Sequence, residues 1–158
     1  SFLHTKIMIS KQQIQEVVEP KIKELKGFLV DIKVNTSNNI TIFFDRMKGV
    51  KVEHCLEISK YFESNFDREI EDYELTVCSA GIDRPFVVDE QYQKYIGSEV
   101  GVLLNNGKKK TGVILSYKDR LKLKVAKKKK GSRKQYLLEE VMIAKEEIKE
   151  TKLKINFK

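Results

Sequence analysis

Residues 73–86 read YELTVCSAGIDRPF. From Tyr73 to Ser79 apolar and polar residues alternate as in a strand, and then the run stops at Gly81-Ile82-Asp83-Arg84-Pro85, a corner that a sheet interior does not accept. Three readings compete for it: an active-site loop, an anion-binding turn, or a hinge between two domains. What lies on either side decides among them.

On the N-terminal side, Ser10 and Gln13 have the spacing of a capping box, and Ile14, Val17, Val18, Ile22 and Leu25 follow at helical spacing. An amphipathic helix is expected from about residue 11 to 26, kinked at Pro20 and ended by Gly27 as a left-handed C-cap. "FLVDIKV" then alternates, with Phe28, Val30, Ile32 and Val34 on one face, and "ITIFFD" repeats the pattern with Ile40, Ile42 and Phe44. The turn cluster "NTSNN" between them makes a hairpin. "KVEHCLEISKYFESNFD" returns to helical period, with Val52, Cys55, Ser59, Phe62 and Phe66 on one stripe. With "YELTVCS" as a third strand, the result is a two-helix, three-strand α/β domain of about 80 residues.

Beyond Phe86 the period changes. After "VDEQYQKYIG" come "SEVGVLL", "KTGVILSYK", "RLKLKV", "QYLLEEVMIA" and "TKLKINF", which read as five short strands of a small barrel. The expected division is an N-terminal domain over 8–80, a hinge over 81–88 and a C-terminal β-barrel domain over 89–158.

The chain has 158 residues, 41% apolar and 34% charged, and no apolar run nears the roughly 20 residues of a membrane span. No secretory signal is legible at the N-terminus. A cytoplasmic protein with no membrane partner is expected. "SFLHTKI" ahead of Met8 lacks periodicity and reads as an expression scar or processed leader. Cys55 and Cys78 are expected to be free thiols, as suits a reducing compartment.

Charge is unevenly divided. Residues 1–88 carry 12 Lys and Arg against 14 Asp and Glu, a balance of −2, while residues 89–158 carry 19 against 9, a balance of +10. A basic half attracts nucleic acid or acidic membrane, though solubility alone also accounts for it. Two clusters stand out: Lys108, Lys109 and Lys110 after an Asn-Asn-Gly turn, and Lys127, Lys128, Lys129, Lys130, Arg133 and Lys134 in "KKKKGSRK". Both read as hairpin tips that reach RNA phosphates, or as solvated loops whose lysines discourage edge pairing.

Enzymatic motifs are missing. There is no Walker-type loop, no Gly-x-Gly-x-x-Gly and no Gly-x-Ser-x-Gly, and the two histidines, His4 and His54, lack spaced partners for zinc. His54 reads as an exposed helical residue beside a core Cys. Asp45, Asp72 and Asp83 could serve a metal nuclease, yet each ends a strand or sits in a turn, where Asp is common. No catalytic residue, metal or cofactor is expected.

Tyr73, Leu75, Val77, Ser79, Gly81, Arg84 and Pro85 stand in the order and spacing of a family signature, approximately Tyr-x-Leu-Glu-Val-Ser-Ser-Pro-Gly-x-x-Arg-Pro. Together with "ITIFFD", "GVKVEHCLEISKYFESNFD" and "YQKYIGSEVGVLL", nearly the whole chain resembles the ribosome maturation factor RimP family. The helix with Cys55 and Ser59 is similar to that family's second helix, and "EEIKETKL", with Ile148 and Leu153, to its last barrel turn. Two departures are visible: Cys78 replaces the first Ser of the signature and Ala80 its Pro, which leaves the corner less stiff before Gly81.

The resemblance implies an N-terminal α/β domain, a C-terminal SH3-like or Sm-like barrel, and a non-catalytic factor that assists assembly of the immature small (30S) ribosomal subunit. Its implied partners are rRNA and a small-subunit ribosomal protein near the decoding centre, with the factor itself a monomer. The alternative is a general RNA-binding module of Sm or OB type. The sparse aromatics of the basic half, Phe86, Tyr92, Tyr95, Tyr117, Tyr136 and Phe157, argue against a base-stacking platform. On the hinge reading, Ser79, Gly81, Asp83, Arg84 and Pro85 set the exit direction of the chain, Gly81 by a left-handed angle and Pro85 by its fixed φ.

Overall fold

The computed structural model describes residues 9–128, 131 and 136–155. The chain is a mixed α+β protein with two sheets, and it separates into two compact units, Ser1–Ala80 and Gly81–Lys158.

In the first unit, α1 (Lys11–Glu24) starts at a true capping box: Gln13 N–H donates to Ser10 Oγ at 3.1 Å, and Ser10 N–H donates to Gln13 Oε1 at 3.0 Å. The helix runs on through Pro20 and buries Ile14, Val18 and Ile22. It does not end on a glycine. Leu25 is the C-cap and the left-handed residue is Lys26, with φ 61°. Gly27 instead opens β1 (Gly27–Val34), where a Cβ would stand 2.8 Å from the Asp45 carbonyl oxygen.

The simple alternation expected for β1 also fails. A β-bulge between Leu29 and Asp31 shifts the register against β2 (Asn39–Arg46), so the pairs Leu29–Phe44, Ile32–Ile42 and Val34–Ile40 face the core, while Phe28 falls outside it and Val30 is buried without joining that cluster. β3 (Glu74–Ser79) joins β2 in parallel, which requires a crossover, and α2 (Val52–Asn65) supplies it. Cys55, Ile58, Phe62 and Phe66 pack on the core, whereas Val52, expected on that stripe, is 72% exposed. The register of α2 is therefore carried by Ile58, a residue the spacing argument passed over. Both cysteines are half-buried and neither is in a disulfide, and burial raises the Cys55 thiol above its ordinary pKa.

The second unit begins with a short α3 (Asp89–Lys94) and continues as β4 (Glu99–Leu104), β5 (Lys109–Tyr117), β6 (Arg120–Lys128), β7 (Tyr136–Ala144), a 3-10 turn (Lys145–Glu147) and β8 (Ile148–Leu153). The strands form one antiparallel sheet in the order β7-β6-β5-β4-β8. Val100, Val102, Leu104, Ile114, Leu121, Leu123 and Ile143 make its core with Tyr92 and Tyr117. A closed barrel was expected and is not found: β7 and β8 are the two edges, with no pairing between them among the described residues.

β5 and β6 approach closely at one place. A Cβ on Gly112 would stand 2.6 Å from the Lys124 carbonyl oxygen and 3.1 Å from Val125 Cγ2. Backbone cannot yield as a side-chain tip does. Gly112→Ala should therefore cost about 1–3 kcal/mol, the usual range for overpacking, read as a lower urea midpoint at unchanged m-value. An unchanged midpoint would mean that the two strands separate freely there.

Candidate nucleic-acid interface

The cluster at 108–110 is less a loop than expected. Lys108 lies after the turn and is exposed, but Lys109 and Lys110 already belong to β5, paired with Leu103 and Val102 of β4. Likewise Lys127 and Lys128 are in β6, opposite Leu137 and Tyr136. Lys129, Lys130, Arg133 and Lys134 lie outside the described residues. The strand lysines are thus held in register by ladder bonds, because β-pairing continues through them despite their poor strand propensity. Lys122 and Lys124 extend the basic surface along β6, with Lys122 bonded to Glu140 at 3.0 Å.

On the sheet face opposite the core, a groove of about 500 Å³ is lined by Gly101, Leu103, Lys109, Thr111, Glu150, Lys152, Leu153, Lys154 and Ile155. Lys152 and Lys154 were not picked out from sequence. Their signal was the period-two spacing of "TKLK", which places Lys152 in β8 and Lys154, just past its end, on the same side.

The junction residues divide. Ser79 ends β3, the Ala80 N–H donates to the Phe44 carbonyl at 2.9 Å, and Gly81 has φ 76°, a left-handed angle suited to glycine. Asp83 is exposed, and Arg84 and Pro85 are half-buried. Phe86 is already part of the second unit: its N–H donates to the Thr151 carbonyl at 2.8 Å, and its ring stacks on Tyr95 and meets Tyr92 edge-on. Gln91 Oε1 accepts the N–H groups of Val87 and Val88.

Tyr92 and Tyr117 stack at 4.0 Å, and Lys145 covers the Tyr117 ring. Their hydroxyls bond Thr151 Oγ1 at 2.7 Å and Asp89 Oδ1 at 2.8 Å. The rings of Phe86, Tyr92, Tyr95 and Tyr117 are therefore spent on one another and offer no base-stacking platform. Burial first, and then the Asp89 carboxylate, drive the Tyr117 pKa well up from its ordinary value, while burial raises that of Tyr92.

Two of the three carboxylates weighed for a metal are otherwise employed. Asp45 and Asp72 each accept the N–H of the next residue, at 2.8 and 2.9 Å. No group of three His, Cys, Asp or Glu able to hold a metal ion occurs among the described residues. His54 is half-buried rather than exposed, and its Nδ1 accepts the Lys51 N–H at 2.9 Å at the start of α2. No helix among the described residues is long and apolar enough to cross a membrane.

A two-unit chain with an α/β half and a basic antiparallel half has known counterparts. Residues 17–83 match the RimP N-terminal domain family. The chain is 35% identical over 147 residues to a ribosome maturation factor RimP of Porphyromonas gingivalis, covering 90% of this chain and 97% of that one. It is 33% identical over 151 residues to the RimP of Christiangramia forsetii, covering 93% and 99%. The protein belongs to the RimP family.

Because the folded chain holds the Tyr117 and Tyr92 protons more tightly than the unfolded chain does, their contribution to stability is complete below the unfolded value of 10.0 and is lost as pH rises above it. Tyr117→Phe should make the alkaline decline shallower, while costing about 1 kcal/mol at pH 7 through the lost bond to Asp89. Urea midpoints between neutral pH and pH 11 test this. Parallel declines for the two proteins would place Tyr117 outside the linkage.

Proposed function

We propose that the protein is a ribosome maturation factor that binds the immature small (30S) ribosomal subunit and assists its assembly as a non-catalytic chaperone in the cytoplasm. The observation that carries this is identity of 33–35% across nine-tenths of the chain with proteins named ribosome maturation factor RimP. Charge supports it, since a precursor subunit is a large polyanion and the second half of this chain has a balance of +10. On this reading the second unit is an SH3-like domain that faces rRNA, through Lys108, Lys109, Lys110 and the 127–134 segment. The first unit is left for a small-subunit ribosomal protein near the decoding centre. Binding and release suffice for the mechanism, and no bond is made or broken.

Residues 81–88 act on this reading as a hinge between domains at 8–80 and 89–158, with Asp83 and Arg84 setting orientation. Gly81→Val should strain the corner, because a β-branched residue is disfavoured at φ 76°. Arg84→Ala should broaden the small-angle scattering profile while each unit still folds. A native profile with lost subunit binding would make Arg84 a direct contact and end the hinge reading of that residue.

Co-sedimentation with immature small, mature small and large subunits across a salt series tests the main reading. Association with small subunits alone is expected, and equal binding to large ones would reduce it to non-specific charge. Replacing Lys127, Lys128, Lys129 and Lys130 by Ser should flatten the salt dependence by roughly 0.7–0.9 in log–log slope for each lost phosphate contact. An unchanged slope would show that the segment is merely solvated.

A further inference from the structure

The groove over β4, β5 and β8 is built differently from a random basic surface. Register places Thr111, Gly101 and Lys152 in one row across three strands, and Lys109, Leu103 and Glu150 in the next. Gly101 leaves the middle of the first row without a side chain. A Cβ there would meet only Lys109, with Cε at 3.2 Å and Nζ at 3.9 Å, so the end of the Lys109 side chain lies over Gly101 on the groove floor while the residue stays exposed to solvent. Lys154 stands at the end of the groove, bonded to Glu99 at 3.1 Å. Neither Lys109 nor Lys152 has an ion pair among the described residues.

We propose that this groove is an RNA-backbone site, in which Lys109, Lys152 and Lys154 hold phosphates and Gly101 gives the strand room to approach the sheet. The proposal rests on the reading of the second unit as the RNA-facing half, and it adds a face separate from the 127–134 segment. The volume suits a ligand the size of one or two nucleotides. Among the described residues no aromatic ring lines it, so its contacts are with phosphate and sugar and carry affinity rather than sequence choice. Glu150, the one carboxylate of the lining among the described residues, repels phosphate at its end of the row and accepts a hydrogen bond from a ribose 2′-hydroxyl.

Gly101 makes the idea testable without altering charge. The only atoms an added side chain displaces at Cβ belong to the end of a flexible lysine, and β-branched residues favour strands. Gly101→Val in the full chain should keep its Tm yet bind a fluorescent uridine 12-mer at least fivefold more weakly at fixed salt. The double variant Lys109→Ser/Lys152→Ser should lower the log–log salt slope by about 1.4, from two single-strand contacts at roughly 0.7 each. Wild-type affinity in Gly101→Val, or an unchanged slope in the lysine variant, overturns the site. If Gly101→Val does not fold, the slope of the lysine variant decides alone. Polyglutamate bound as tightly as RNA, and lost equally in Gly101→Val, assigns the groove to acidic protein and also overturns it. Wild-type protein that binds the 12-mer but no small subunit removes the ribosomal reading while the groove stands.

Discussion

Ala144 ends β7 and Ile148 begins β8, yet these strands form opposite edges of a five-stranded sheet. Laid flat, the edges would be about 19 Å apart, four spacings of roughly 4.8 Å, whereas a three-residue 3-10 turn advances only about 6 Å. The sheet must curl. Bulges at Leu103/Leu104 and Ile114/Ser116 bend the strands, and the bare Gly112 lets β5 cross close to β6. Asn105 fixes the turn, its side chain donating to the Glu146 carbonyl and its N–H to the Glu147 carbonyl. Every property of this unit follows from the curl: a core on the inside, and lysines spread over the outside.

The basic runs stand at the ends of hairpins, as expected, but part of each belongs to a paired strand. A block such as Lys108-Lys109-Lys110 looks like solvated loop, but strands that must travel round a bend stay paired beyond the point where propensity favours them. Conversely, Lys152 and Lys154 are separated by Leu153 and form no run, so a search for clusters passes over them. Period two brings them together only once β8 is known to pair with β4. Charge that is scattered in sequence is assembled by register.

In the first unit, legibility tracked locality. The Ser10–Gln13 box and the Ile40, Ile42 and Phe44 row were readable because each depends on residues within one turn or one strand. The bulge in β1 was not, since it arises from matching two strands, and a one-residue slip reverses every side chain after it. Stop signals misled in the same way: Gly27 looked like a cap, but its use is close approach to Asp45, and Lys26 bears the left-handed angle. The parallel pairing of β3 was equally hidden, because the hydrophobic pattern is silent about strand direction. The corner at Gly81 was legible because glycine and proline leave few alternatives.

Phe86 has a consequence for avidity. Its backbone bond to Thr151 and its stacked ring fasten the chain to the second unit, and Ala80 is fastened by Phe44, so only residues 81–85 connect the two anchors. Five residues reach at most about 18 Å when fully extended, and short linkers correspond to millimolar effective concentrations. On the proposed reading, two surfaces joined in this way would need only weak affinity each to hold one large particle, and detachment of either would leave the other near enough to guide its return.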